Sequence, residues 1–214
     1  MILSILLAAS TAYSSGRLYI ETVNIAQGET ADLSIFLDNE QPFVGFQMEI
    51  SLPSGLLFVN EGGIPDIKLS ERLDGNYHVA GKLLDSNKLR FGTFSTSHTP
   101  ITGNSGVVAT VKVIAFDDFI GGDALLTNAL CISNDDQDVD FSDEATYIGL
   151  RRPVENIIVS PETVEMRVGE VIQLVADVYP VDATDRNVIW WSDNPGVAEV
   201  DPEGNVTALT LGEA

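Results

Sequence analysis

The sequence predicts an all-β protein made of two β-sandwiches in tandem. Three observations carry that prediction. Short segments alternate apolar and polar residues with period two, groups of Gly, Pro, Asn and Asp separate them at regular intervals, and no stretch repeats with the period of a helix. With 44% hydrophobic and 20% charged residues over 214 positions, the composition is that of a folded chain, long enough for one large domain or two small ones.

Residues 1–16 read as an export signal peptide. Ile2, Leu3, Ile5, Leu6, Leu7, Ala8 and Ala9 form an apolar run, and the small residues Ser10, Thr11 and Ala12 follow, so cleavage after Ala12 or Ser14 fits. No Lys or Arg precedes the run. A buried first strand is the competing reading, but the run does not alternate. It is too short to span a bilayer, and no Cys follows it to carry a lipid. Strands are then expected from Leu18 to Ile25, Ala31 to Leu37, Phe43 to Ile50, Tyr77 to Leu84, Lys88 to Phe94, Val107 to Phe116 and Ala145 to Leu150. Turn formers such as Pro53-Ser54-Gly55 and Asp85-Ser86-Asn87 lie between them. A boundary falls at Arg151-Arg152-Pro153, because proline interrupts a ladder. The first sandwich is therefore placed at 17–150 and the second at 154–214. In the second, strands are expected at Ile157–Val159, Val164–Val168, Val171–Val178, Val188–Trp191, Val197–Val200 and Val206–Leu209.

The formal net charge is −21, and both halves are acidic: residues 1–150 hold 7 basic and 20 acidic side chains, residues 151–214 hold 4 and 12. Such a field repels a phosphate backbone and an anionic membrane surface, so neither nucleic acid nor membrane insertion is expected. Cys131 is the only cysteine, so no internal disulfide forms, and its place in Ala129-Leu130-Cys131-Ile132 reads as an inert buried thiol.

From Val154 onward a family pattern emerges. Val154-Glu155-Asn156-Ile157-Ile158-Val159-Ser160-Pro161 is followed by Val168-Gly169-Glu170, Tyr179-Pro180, Val188-Ile189-Trp190-Trp191-Ser192-Asp193-Asn194-Pro195, Val197-Ala198-Glu199-Val200-Asp201 and Gly204-Asn205-Val206-Thr207-Ala208. This resembles the bacterial immunoglobulin-like group 2 module of intimin- and invasin-type surface proteins. The resemblance implies a core tryptophan at Trp190 and a role as spacer. Trp191 then points to the opposite face, where it is a candidate partner contact or an ordinary surface residue. Members of that family continue past Leu211-Gly212-Glu213-Ala214 with a further strand, so the Ig-like sandwich is expected to lack its last strand and the chain to be part of a longer surface protein.

The first half carries Val23-Asn24-Ile25, Gln27-Gly28-Glu29-Thr30, Val44-Gly45-Phe46-Gln47-Met48-Glu49-Ile50, Leu52-Pro53-Ser54-Gly55-Leu56, Leu89-Arg90-Phe91-Gly92-Thr93-Phe94 and the strand ending near Val113. It is similar to the cohesin-like domains, which share a jelly roll with several carbohydrate-binding modules. The resemblance implies recognition of a protein partner, a dockerin-type module of a polysaccharide-degrading enzyme, held on a sheet face with calcium bound by the dockerin. Together the leader and the two modules imply a secreted or cell-surface bacterial protein. A carbohydrate-binding module is the alternative, as is a purely structural part of an adhesin. The first half has no Trp, and Tyr13, Tyr19, Tyr77 and Tyr147 are scattered, so a flat aromatic platform is not expected.

Among chemical constellations, the run Asp135, Asp136, Asp138, Asp140, Asp143 and Glu144 invites a calcium ion, with Asp136, Asp138 and Asp140 as first candidates. The EF-hand order is missing, and a solvated acidic loop is the other reading. No other cofactor is expected. His78 and His98 have neither HExxH nor paired-His spacing, and Ser95-Thr96-Ser97-His98 lacks a nucleophile elbow, so no catalytic residues are assigned and an enzyme is not expected.

Overall fold

Alternating strands with one apolar face must bury that face against another sheet, and the first unit of the molecule does so around a single core. The computed structural model describes residues 16–73 and 75–214; the signal peptide read in residues 1–16 lies, Gly16 apart, outside them. The chain divides into one unit ending at Leu150 and another beginning at Arg151.

The first unit contains β1 (Gly16–Ile20), β2 (Val23–Ile25), β3 (Thr30–Asn39), β4 (Phe43–Ser51), β5 (Leu56–Phe58), β6 (Asn60–Glu61), β7 (Ile64–Pro65), β8 (Ile67–Leu69), β9 (Tyr77–Asp85), β10 (Lys88–Ser95), β11 (Val107–Ala115), β12 (Gly122–Ser133), β13 (Asp138–Asp140) and β14 (Glu144–Leu150). One sheet runs β1-β3-β11-β5, with β8 also on β11. The other runs β2-β14-β12-β4-β10-β9, with β13 also on β12. The result is a jelly-roll sandwich. Leu33, Ile35, Leu37, Val111 and Val113 of the first sheet share one core with Phe46, Met48, Ile50, Leu89 and Phe91 of the second. Phe46 and Phe91 meet edge to face, centroids 6.0 Å apart.

Two features depart from the alternation. The segment Leu18–Ile25 is not one strand. It breaks at Glu21-Thr22, so that β1 pairs β3 in one sheet and β2 pairs β14, in parallel, in the other. The longest strand, β12, is not evident from period two at all. A bulge interrupts it: its register against β4 shifts between Thr127 and Leu130, and Asn128 adopts φ 51°. Ala124 and Leu126 are buried before the bulge and Ala129 and Cys131 after it, so the buried positions change parity.

The loop between β10 and β11 carries no ladder of its own and is held by Arg72. Its guanidinium donates to the carbonyl oxygens of Leu37, Thr102 and Gly106, each at 2.7 Å, to that of Gly103 at 3.0 Å, and to Asn39 Oδ1 at 2.9 Å.

The second unit has a two-stranded sheet of β15 (Asn156–Ser160) and β17 (Val175–Tyr179), and a three-stranded sheet in the order β16 (Val171–Gln173), β19 (Asn205–Ala208), β18 (Ala198–Val200). The single strand expected over Val171–Val178 is split at Leu174, whose N–H donates to the Gly204 carbonyl at 2.8 Å as the chain passes between sheets. Val164–Val168 and Val188–Trp191 join no ladder. Alternation reports which side chains are covered, not whether the backbone has a neighbour: Val188 and Trp190 are half-buried, while Ile189 and Trp191 are exposed. Val178, Ala183 and Ala208 are the buried apolar residues of this unit. Gly204, at φ +84°, lies under the Trp190 ring. A Cβ there would come within 2.8 Å of the Leu174 carbonyl oxygen and 3.1 Å of the indole.

Replacing Arg72 with Met leaves several carbonyls without their donor. We expect a loss of about 2 kcal/mol in urea unfolding of the full chain, with the transition still cooperative. An unchanged midpoint would show that water replaces the guanidinium without loss.

Candidate partner-binding face

Period two fixes what the larger sheet shows to solvent. Because Phe46, Met48 and Ile50 enter the core, β4 turns Gly45, Gln47 and Glu49 outward; because Leu89 and Phe91 enter it, β10 turns Lys88, Arg90, Gly92 and Phe94 outward. Register then aligns neighbours. One row across the strands holds Asp138, Ile132, Gly45, Phe94 and His78; the next holds Asp140, Leu130, Gln47, Gly92 and Ala80; a third holds Glu49, Arg90 and Lys82. Gly92 leaves the sheet bare between apolar flanks. The result is a shallow trough of about 380 Å³ lined by Gln47, Ala80, Lys82, Phe94, Leu130 and Ile132. Phe94, half exposed, stacks on His78 with centroids 5.8 Å apart.

Glu49 is a buried carboxylate on this outer face. Lys88 Nζ lies 2.9 Å from Oε2, and Arg90 donates from Nε to Oε1 at 2.9 Å and from a terminal nitrogen to the same atom. Hydrogen bonds from Lys88 and then Arg90 outweigh desolvation and hold its pKa down at about 2. Three of the seven basic residues of residues 1–150 (Lys82, Lys88 and Arg90) are on this face. Lys82 is exposed and has no carboxylate partner among the described residues.

The structure separates the three aspartates singled out as calcium candidates. Asp136 sits in the turn after β12 at φ 60° and accepts a hydrogen bond from His98 Nε2 at 2.8 Å. Asp138 and Asp140 are exposed on β13, opposite Ile132 and Leu130, at the rim of the outward face. Among the described residues no three His, Cys, Asp or Glu side chains gather as a metal-holding group. Cys131 faces the core, and burial pushes its thiol pKa up. Trp191 is 79% exposed in the second unit. On the opposite sheet Tyr19 and Phe36 stack at 5.2 Å with Arg17 over Tyr19, so these rings cover one another instead of lying flat.

The residues that compose the face were unremarkable in sequence. Phe94, Lys82 and Leu130 lie on three strands, and only the register of β12, β4, β10 and β9 makes them neighbours.

Two predictions follow from this geometry. The depressed pKa means that the Glu49 ion cluster contributes in full above pH about 4.5 and is lost as the pH falls toward 2, so a Glu49→Gln variant should lose stability at neutral pH and show a flatter melting-temperature profile across that window. Parallel profiles for the two proteins would count against the clamp. Trp190→Ala should cost the second unit roughly 2 kcal/mol by thermal unfolding, whereas Trp191→Ala should stay within about 0.5 kcal/mol of the parent.

Comparison with known proteins places both units. Residues 153–214 match the family of bacterial Ig-like domains, group 2. Two uncharacterised proteins of Clostridium acetobutylicum are similar, one 35% identical over 78 residues (36% of this chain), the other 30% identical over 195 residues (91% of this chain). The chain spans 17% of the length of each. Among solved structures, the sixth cohesin of scaffoldin B from Acetivibrio cellulolyticus, in complex with a Cel5 dockerin, aligns with a TM-score of 0.53 at 13% identity. That alignment covers 64% of this chain and 99% of the cohesin, a share only the first unit is long enough to supply. The molecule is thus a jelly roll of cohesin-like fold followed by a segment that matches the bacterial Ig-like group 2 family.

Proposed function

We propose that the chain is a non-catalytic, extracellular recognition protein. In this reading the outer face of β12, β4, β10 and β9 docks a dockerin-type protein, and the Ig-like unit is its spacer at the bacterial cell surface. The observation that carries the reading is the trough at Gly92, flanked by Phe94, Leu130 and Ile132 and edged by Lys82 and Arg90, on a sheet of a cohesin-fold jelly roll. Apolar anchors beside polar groups on a rigid sheet are what a protein interface needs at its centre. The cohesin it resembles was solved in complex with a dockerin. The histidines and the thiol are otherwise engaged: His98 holds Asp136, His78 stacks on Phe94, and the thiol is in the core. The link to polysaccharide degradation rests on the dockerin-type partner, and the extracellular site rests on the leader. No described helix is long and apolar enough to cross a membrane.

The test uses the full chain as bait for secreted proteins of the source bacterium, in calcium and then in EDTA, beside a Phe94→Ala bait. Calcium-dependent capture of dockerin-bearing enzymes, weakened roughly tenfold by loss of the aromatic anchor, is expected. A folded bait that retains nothing, or a capture indifferent to Phe94, overturns the reading.

A further inference from the structure

The sequence holds 11 Lys and Arg, and Arg151 and Arg152 are the one place where two stand side by side. They lie where β14 has ended at Leu150 and β15 has yet to begin at Asn156, in a stretch that joins no ladder. Arginine is what an arginine-specific endopeptidase selects, because an acidic group at the bottom of its specificity pocket pairs with the guanidinium. Only one of the two bonds suits such an enzyme. After Arg152 comes Pro153, whose ring replaces the N–H and fixes the backbone, so the Arg152–Pro153 bond is a poor substrate. The candidate is the bond from Arg151 to Arg152, which lies at the boundary between the two units.

The second unit closes a clasp on the leaving side of that bond. The Arg152 N–H, on the scissile nitrogen itself, donates to Thr184 Oγ1 at 2.7 Å, and the Thr184 N–H donates back to the Arg152 carbonyl oxygen at 2.8 Å. The Arg152 guanidinium reaches Asp182, Nε to Oδ2 at 3.1 Å. Further along, the Glu155 N–H donates to the Tyr179 carbonyl oxygen at 2.8 Å. The turn that makes the clasp is anchored, since Ala183 is buried and its N–H donates to the Pro180 carbonyl oxygen at 2.9 Å. On the other side of the bond, Leu150 is in register with Ile25 at the end of the β14–β2 ladder, and Arg151 is half-buried. An endopeptidase takes its substrate as an extended strand whose main-chain groups pair with the enzyme. At Arg152 those groups are already paired, so the bond is cut only from a locally opened state. Asp182 and Thr184 are exposed, so releasing Arg152 from them disturbs no core residue.

We infer that the Arg151–Arg152 bond is a latent processing site for an arginine-specific endopeptidase, with the clasp of Thr184 and Asp182 as its lock. In the cut, water adds to the Arg151 carbonyl carbon, the C–N bond to Arg152 breaks, and the leaving nitrogen takes a proton. The products are a new carboxyl terminus at Arg151 and a new amino terminus at Arg152. The cut severs the first unit from the Ig-like one, a control that holds whatever the first unit docks.

The test exposes the native full chain to a catalytic amount of an arginine-specific endopeptidase and follows each cut by intact mass. The parent is compared with Thr184→Ser, which keeps the hydroxyl, and with a clasp variant, Thr184→Val with Asp182→Asn. A fourth protein adds Arg151→Gln to the clasp variant. The parent and Thr184→Ser should be cut slowly at Arg151–Arg152. The clasp variant should be cut there about tenfold faster, while its cuts after Arg167 and Arg186 stay at the parent rate, and Arg151→Gln should abolish the fast cut. An unchanged rate at this bond in the clasp variant overturns the inference. Equal acceleration after Arg167 and Arg186 overturns it too, because it reports unfolding of the whole second unit. A fast cut that survives Arg151→Gln places the attack at another bond and likewise overturns it. The docking face takes no part in this experiment, so each of these failures leaves the reading of that face standing.

Discussion

Strand β4 decides the core and the outward face together. Its period of two sends Phe46, Met48 and Ile50 inward and Gly45, Gln47 and Glu49 outward, and it is bonded on one side to β10 and on the other to β12. A slip of one residue would exchange the two sets. It would put a carboxylate in the core and three large apolar side chains in water, each worth about 1.5–3 kcal/mol of burial. The register that makes the sandwich stable is therefore the one that sets Phe94 beside Ile132 and Arg90 over Glu49. The face needs no loop to build it. It inherits the rigidity of a sheet whose other side is close-packed.

Glycine in that sheet is a consequence of the same packing. A Cβ at Gly45 would approach the Thr93 carbonyl oxygen to 2.6 Å, and one at Gly92 would lie 2.9 Å from the Phe46 carbonyl oxygen and 3.0 Å from Gln47 Cβ. Side chains are excluded there by the neighbouring strands, at a cost of roughly 0.5–1 kcal/mol each in chain entropy. The bare trough is what remains. Glu49 shows the reverse logic, since a carboxylate that the sheet covers has to be paired. Lys88 and Arg90 hold it ionised, and in doing so they fix two cations on a protein that is otherwise strongly acidic.

The sequence shows the strands better than it shows the face. Segments with one uninterrupted alternation, such as Phe43–Ile50 and Lys88–Phe94, can be read directly because burial on one side leaves period two in the residues. β12 cannot, because the bulge at Asn128 moves its buried positions from Ala124 and Leu126 to Ala129 and Cys131. That strand carries Leu130 and Ile132, so the apolar flank of the trough disappears from view with it. The opposite error occurs at Val188–Trp191, where alternation is real but no strand pairs with the segment. The resemblance places Trp190 in the core and parity then sets Trp191 on the opposite side; in the structure Trp190 lies against Gly204 and Trp191 faces solvent.

The acidic run before β14 shows how backbone conformation divides residues that sequence spacing groups. Spacing puts Asp136, Asp138 and Asp140 within five residues, as a metal loop would require, but backbone conformation divides them. A turn takes Asp136 to His98, and a short strand sets Asp138 and Asp140 on one side with Val139 on the other, packed toward the core. Two carboxylates on alternate positions of an edge strand point the same way into solvent, too few to strip the water from a divalent ion. They stand at the rim of the outward face, opposite Ile132 and Leu130. Residues that lie within five positions in sequence thus belong to two different elements, a turn and a strand.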